Sequence, residues 1–315
     1  MVTRIKIATT AAELDAVFRL RHKVFVEEER YMQERPDRRI IDRFDAFPTT
    51  TNVIAVVDGR VVGSMRITEE SDAGTSADTF FDFDRYVPSD TGRVGSASQT
   101  CIERAYRKTH GLTFALMGMA YHYAIMRGLT MLKTVINPLI EPLVRKTGWV
   151  AVAPKFFHEQ YCLHCLPMIL DLRKLNDTFL SFIKQQQIEH FLQSFDRQFH
   201  RAGDTIIRAG DQGDEAFIVV DGTVSVRRGD PDGVASVIVQ ELGPGELFGE
   251  IALLTMGRRT ADVIAQSDVT LMVLEQRVFE DQVARNPAGA LRLLRLVGSR
   301  AHGSLLSGVS LSTGL

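Results

Sequence analysis

Glycine punctuates the chain from Phe199 onward, at Gly203, Gly210, Gly213 and Gly222 in the run FHRAGDTIIRAGDQGDEAFIVVDGTVSVRRG. The apolar stretches between these glycines are too short for helices. They read as brief strands joined by tight turns, the pattern of a β-roll. Residues 234–242 continue that pattern, Gly243-Pro244-Gly245 turns it, and residues 262–265 and 269–274 complete it. Inserted in the roll is FGEIALLTMGRRTADV, Phe248 to Val263, which reads as a short helix with a return loop. Gly249 lets the backbone approach a ligand closely. The free N–H groups of Ile251 and Ala252 open the helix toward an anion. Arg259 adds a planar charged fork. The alternative for this stretch is a chance amphipathic turn. Phe217 and Val219 read as core.

These residues resemble the phosphate-binding cassette of cyclic-nucleotide-binding domains, the family shared by Crp-type regulators, protein-kinase regulatory subunits and gated channels. The resemblance extends over residues 177–300. It implies a cyclic nucleotide held by Gly249, Glu250, Ile251, Ala252, Arg259, Thr260 and Ala261. Glu250 would accept from the ribose 2′-OH and Arg259 would bind the cyclic phosphate. A Thr at position 260 can touch a guanine edge in some members and lies beside the phosphate in bacterial-type members. The expected effector is cAMP, with cGMP the alternative, and a ligand-free roll is the competing case. Arg258 is expected to face solvent. Residues 277–300 read as lid helices, and the residues beyond them are too few for the three-helix DNA reader of Crp-type regulators. DNA is therefore not an expected partner.

The first half alternates strands and helices. Residues 3–8 read as a strand and residues 10–29 as a helix with Leu14, Val17, Phe18, Arg21 and Phe25 at helical spacing. Residues 51–57 and 61–68 form a hairpin around Asp58-Gly59. A strand over 94–102, an apolar helix over 114–126 stopped by Gly128, a strand over 131–136, a short helix over 139–146 and a strand over 149–153 follow.

This order resembles the N-acyltransferase fold of the GNAT superfamily, over most of residues 1–172. Within it, Arg21, Phe25, Tyr31, Asp42, Asp45 and Arg66, in LRHKVF, ERYM, IDRFD and VVGSMRIT, resemble autoinducer (acyl-homoserine-lactone) synthases and N-acyl amino acid synthases. Tyr31 stands where that family usually has Trp. Asp42 and Asp45 can hold an ammonium or orient Arg21, and Arg66 can complete an ion network. The equal alternative is a structural network anchoring the first helix. Autoinducer synthases carry Glu-x-x-Arg on the central strand. Here the stretch is Ser96-Ala97-Ser98-Gln99-Thr100, with neither charge, which leaves the amine substrate open. IERAYRKTHGLTF resembles the GNAT pyrophosphate loop, with one of its glycines replaced by His110. The resemblance implies that Arg107, Lys108, His110, Gly111 and Leu112 hold the donor, either coenzyme A or the phosphopantetheine of an acyl carrier protein. The backbone N–H groups near residues 100–102 would stabilise the thioester oxygen. Glu103, His110 and Tyr161 are base candidates, with structural roles as the alternative. Cys162, His164 and Cys165, with His158 upstream, lack the second pair of a structural zinc site, and no metal is expected. Cys101 reads as a small core residue.

The fold class expected is thus α+β. A GNAT-like mixed sheet with helices spans 1–172, a helical connector 173–200, a β-roll cyclic-nucleotide-binding domain with flanking helices 201–303 (its leading helices from 177), and a tail 304–315. The net charge of −2 gives no polyanion-binding footprint, and no apolar run reaches membrane-span length. Three cysteines and no export signal favour the cytoplasm. The function expected is acyl transfer from an acyl-CoA or acyl carrier protein thioester to a small-molecule amine, regulated by the cyclic nucleotide. The alternatives are a cyclic-nucleotide-regulated protein lysine acetyltransferase and a catalytically inactive sensor. A homodimer is one assembly this allows.

Overall fold

The computed structural model describes residues 3–88, 90–107, 111–159, 163–175, 177–186, 196–229, 236–251 and 257–277, together with 295 and 298. The backbone divides near residue 176 into two compact units.

In the first unit, strand β1 (Thr3–Ile7) leads into helix α1 (Ala11–His22). Thr10 starts α1 because its hydroxyl accepts from the Glu13 N–H at 3.2 Å, while Glu13 accepts from the Thr10 N–H at 3.1 Å. This reciprocal cap satisfies donors that the first helical turn leaves free. The spacing predicts one helix to residue 29. Instead α1 ends at His22 and the backbone widens into a π-helical turn over Lys23–Glu28. Strands β2 (Thr50–Val57) and β3 (Arg60–Glu69) form the expected hairpin, with φ of 49° at Asp58 and 75° at Gly59. Both central residues lie in the left-handed region that a type I′ turn requires.

Strand β4 (Arg93–Ile102), helix α2 (Gly111–Met126), strand β5 (Leu129–Ile136), helix α3 (Glu141–Arg145) and strands β6 (Val150–Ala151), β7 (Phe156–His158) and β8 (Leu163–Asp171) follow. The sheet order is β1-β2-β3-β4-β5-β8-β6, with β7 paired to β8, and β4–β5 is a parallel pair. Helix α2 is apolar on nearly all sides and packs across β2, β3 and β5, with Leu116 and Ala120 fully buried. Helix α1 packs on β3 and β4 through Val17 and Leu20, joined by Val24 of the π-helical turn. Gly95 lets β4 sit close between its neighbours β3 and β5: a Cβ there would lie 2.7 Å from Leu129 and 2.9 Å from the Thr68 carbonyl.

The second unit opens with helix α4 (Thr178–Gln186), which buries Phe179, Leu180 and Ile183 on one stripe. Residues 187–195, the rest of the expected connector before β9, lie outside the described residues. Strands β9 (Arg197–His200), β10 (Thr205–Ile207), β11 (Glu215–Asp221), β12 (Val224–Gly229), β13 (Ser236–Leu242), β14 (Leu247–Phe248), β15 (Asp262–Ala265) and β16 (Val269–Glu275) follow. They make two sheets, β14-β11-β16-β9 and β10-β15-β12-β13. Phe217, Val219, Val224, Val263, Leu271 and Val273 fill the space between them. β9 corrects the sequence expectation of a helical connector to residue 200: residues 197–200 pair antiparallel with Val269–Met272 of β16 and belong to the roll. The expected lid region lies almost entirely outside the described residues. Among the described residues, no helix is long and apolar enough to cross a membrane.

Candidate functional site

The first unit gathers Arg21, Asp42, Asp45 and Arg66 into one cluster. Asp42 and Asp45 bracket a short 3-10 turn and cap it reciprocally. Asp42 accepts from the Phe44 N–H at 2.9 Å, and Asp45 accepts from the Asp42 N–H at 3.0 Å. The turn therefore fixes both carboxylates before any cation is considered. Arg21 on α1 donates to both Asp45 oxygens at 2.9 Å and to Asn52 Oδ1 at 2.6 Å. Arg66 on β3 donates to Asp42 at 2.7 and 2.8 Å and to Asp45 at 3.0 Å.

Both arginine side chains are fully buried, Asp45 nearly so, and Asp42 keeps 35% of its side chain exposed. Burial pulls the proton affinity of Arg21 below its usual value, against the pull of Asp45. At Arg66 burial acts the same way, but hydrogen bonding and charge from Asp42 and Asp45 outweigh it and raise its pKa. Burial also works against the Asp42 charge, yet Arg66 holds its carboxyl below the ordinary range. The cluster is a neutral, interlocked set whose open edge is Asp42.

That edge abuts the centre of β4. Arg66 Nε donates to Ser98 Oγ at 3.1 Å, and Gln99 Nε2 approaches Asp42 at 3.4 Å. Hydroxyls occupy the stretch where charges were absent: Ser76 Oγ lies 3.0 Å from Ser98 Oγ and 3.3 Å from Ser96 Oγ. Here β4 leaves β5. Their parallel register runs from Arg93↔Leu129 to Ser96↔Lys133 and stops, and Gln99 takes a φ of 53°. Lys133 marks the fork. It is buried, paired with Glu70 at 2.5 Å and Asp78 at 2.8 Å, and those carboxylates raise its pKa against the effect of burial.

Past the fork, Arg107 donates from Nε to the Ile102 carbonyl at 2.5 Å, from Nη2 to Glu28 at 2.7 Å, and from Nη1 to Glu29. The π turn delivers these acids. Arg107 in turn holds the Glu29 carboxyl below its usual range. Glu103 pairs with Lys23 at 2.6 Å and Arg60 at 2.9 Å; burial opposes its charge, but the two cations keep its pKa low. Tyr31 accepts from Asn137 Nδ2 at 3.2 Å, at the end of β5. Gly111 and Leu112 lie in the first turn of α2, which begins three residues before the helix start expected from sequence. Lys108, His110, Tyr161 and Cys162 lie outside the described residues. Cys101 is buried beside Ser64, with its Sγ 3.3 Å from Ser64 Oγ.

In the second unit, six of the seven expected effector residues line one cavity of about 380 Å³: Gly249, Glu250, Ile251, Arg259, Thr260 and Ala261. Ala252 lies outside the described residues. The opposite wall is built from β12 and β13. Arg259 is held from below. Its Nη1 donates to the carbonyls of Glu215 at 2.7 Å and Gly249 at 3.0 Å, and its guanidinium lies over the Phe217 ring at 5.8 Å. Phe217 stacks on Phe248 at 5.2 Å. Gly249 has a φ of 76°, and a Cβ there would lie 2.9 Å from Arg259 Nη1. Burial lowers the proton affinity of Arg259, while Glu215, Asp214, Asp211 and Glu250 pull it back up. A guanidinium stays charged under both influences. Arg258 is exposed and donates to the Gly210 carbonyl at 2.7 Å.

Sequence reasoning missed Asn52, Ser76 and the part played by Gly213. Asn52 and Ser76 carried no local signal, since they meet the cluster only through sheet pairing and a long loop. Gly213 was visible as a glycine, but its contact with Arg259 was not.

A family profile for the cyclic nucleotide-binding domain matches residues 197–286, and one for the N-acyl amino acid synthase FeeM matches residues 16–166. The chain is 32% identical over 115 residues to the cyclic AMP receptor protein of Thermus thermophilus, covering 36% of this chain and 53% of that protein. It is 34% identical over 113 residues to the cGMP-dependent protein kinase egl-4 of Caenorhabditis elegans, covering 36% of this chain and 14% of the kinase. The chain thus spans about half or less of the length of these curated relatives. The structure of FeeM, an N-acyl amino acid synthase from uncultured soil microbes, aligns at 14% identity and a TM-score of 0.48, over 55% of this chain and 93% of that one. The chain therefore joins a first segment that matches the N-acyl amino acid synthase FeeM family to a second that matches the cyclic nucleotide-binding domain.

Proposed function

We propose that this chain transfers an acyl group from a thioester, carried by coenzyme A or an acyl carrier protein, to the amine of an amino acid, and that a cyclic nucleotide sets the rate. The observation that carries the proposal is the fork between β4 and β5, which opens beside the exposed edge of Asp42. Past Ser96 and Lys133 the two strands no longer share a ladder, so N–H groups of β4 beyond that point can meet a thioester, although the Ala97 carbonyl accepts from Thr134 Oγ1 and the Ile102 carbonyl from Arg107. An N–H near residues 100–102 would donate to the thioester oxygen as the amine adds. The new N–C bond forms as the C–S bond breaks, and the proton lost by the amine passes through water to the leaving thiolate. Asp42 would hold the incoming ammonium through its open carboxylate edge. The buried Arg21, Asp45 and Arg66 would fix that carboxylate rather than touch substrate. The match to N-acyl amino acid synthases supports an amino acid as acceptor.

Arg107 is the donor-phosphate candidate, and donor binding there requires its pairs with Glu28 and Glu29 to open. In the second unit the cyclic phosphate would meet Arg259 and the N–H of Ile251, and the ribose would meet Glu250. Regulation requires that the nucleotide bind two states of the protein with different affinity. The test is acyl transfer from acyl-CoA to an amino acid, measured with and without cAMP and cGMP. A rate unchanged by either nucleotide would remove the regulatory half of the proposal. Calorimetry showing no binding of acyl-CoA or acyl carrier protein would remove the catalytic half.

A further inference from the structure

The cavity of the second unit holds a second arginine that the cassette does not account for. Arg228 on β12 lines it together with Val226, two residues earlier on the same strand. Val224, two residues earlier again, is fully buried in the core. Strand alternation therefore sends all three side chains to the inner face. Its neighbour Arg227 instead bonds Ser225 Oγ at 3.2 Å. Among the described residues Arg228 has no carboxylate partner, although it is half-buried. A half-buried guanidinium that lines a cavity can donate its N–H groups to an incoming ligand.

We propose that Arg228 reads the base of the bound nucleotide and makes the cavity prefer a guanine over an adenine cyclic nucleotide. This rests on the nucleotide assignment of the cavity made above. With the phosphate at Arg259 and the ribose at Glu250, the wall left for the base is the β12–β13 hairpin. Its polar side chains in the cavity are Arg228 and Gln240. An arginine side chain offers only N–H donors. Guanine presents two acceptors side by side, O6 and N7, which a guanidinium can take together. Adenine presents an amino donor beside N7, which opposes one arm of the fork. Gln240 carries both a donor and an acceptor, suits either base, and does not discriminate.

The test is calorimetry of the full chain with cGMP and with cAMP, for the native protein and for Arg228→Ala and Arg228→Gln. A good bidentate contact discriminates between bases by roughly 5- to 150-fold. The native protein should bind cGMP tighter than cAMP by a factor in that range. Arg228→Ala should bring the ratio toward one by weakening cGMP more than cAMP. Arg228→Gln should move the ratio toward cAMP, since glutamine can pair with adenine N6 and N7. Thermal unfolding of each variant, matched to the native curve, shows that the roll is intact. A native preference for cAMP, or a cGMP preference that survives Arg228→Ala, overturns the proposal. Failure of both nucleotides to bind the native protein overturns the nucleotide assignment itself.

Discussion

Gly213 lies so close beneath the guanidinium of Arg259 that a Cβ on it would stand 2.1 Å from Nε and 2.3 Å from Cζ. No side chain larger than hydrogen leaves Arg259 where it is. Gly213→Ala should therefore displace the arginine without straining the backbone. Loss of a charge-assisted contact costs about 1.5–3 kcal/mol, so cyclic-nucleotide affinity should fall roughly 10- to 150-fold. Calorimetry checks this, with thermal unfolding as the control for folding. An affinity within about twofold of native would mean that Arg259 does not carry the phosphate.

The two carboxylates of the ion cluster should differ in their weight. Asp45 is almost fully buried between Arg21 and Arg66, whereas Asp42 is partly open to water. Removing one partner from a buried ion pair costs about 3–5 kcal/mol, because the remaining charge is stranded. Asp45→Asn should approach that loss in urea unfolding of the first unit, and Asp42→Asn should cost less. Acyl transfer should show the reverse order: Asp42→Asn folds but loses activity. Equal stability losses for the two variants would contradict the burial argument.

Acid should unfold the first unit through the same chemistry. Glu13 titrates at about 2: burial opposes its charge, but the Thr9 and Thr10 N–H groups and Lys6 outweigh that effect. Asp42 is also held below its ordinary value. When the folded pKa is the lower one, the stability is fully present above the unfolded value of about 4. It is lost as pH falls through that value toward the folded one. Urea midpoints should be level from neutral pH to roughly pH 5 and fall between about pH 4 and pH 2. Glu13→Gln should lower the neutral plateau and flatten the acid slope. A slope identical to the native one would show that the cap contributes nothing.

Arg107 offers a kinetic test of the donor site. Its guanidinium is engaged by Glu28 and Glu29. If a donor phosphate must displace them, Glu28→Gln with Glu29→Gln should lower the KM for acyl-CoA by about two- to fivefold, the range for partly exposed pairs. Arg107→Ala should raise it. A KM that rises in the double variant would make the acids part of the donor site rather than competitors for it.

Sequence legibility followed the distance over which each signal acts. Asp58 with Gly59 announces a turn through contacts within a few positions, and it formed as expected; the cap of Thr10 with Glu13 is equally local. The glycines and the Arg of the cassette declared a second site for the same reason. The fork between β4 and β5, the π turn over Lys23–Glu28 and the strand at Arg197–His200 depend on pairing with remote segments. A window along the chain does not contain them. Arg228 shows the limit most clearly: in sequence it is one of two adjacent arginines, and only strand alternation decides which of them enters the cavity.

The hairpin carries one more consequence of the ion cluster. Asn52 and Arg66 stand directly opposite each other in the β2–β3 register, and Arg21 reaches Asn52 while Arg66 reaches both acids. A slip of one residue in that pairing would turn Arg66 to the other face of the sheet. Asp42 and Asp45 would then share a single guanidinium, and a second would be buried alone. The charges that prepare the site also penalise the wrong alignment of the strands beneath it, so the chain proofreads its own sheet.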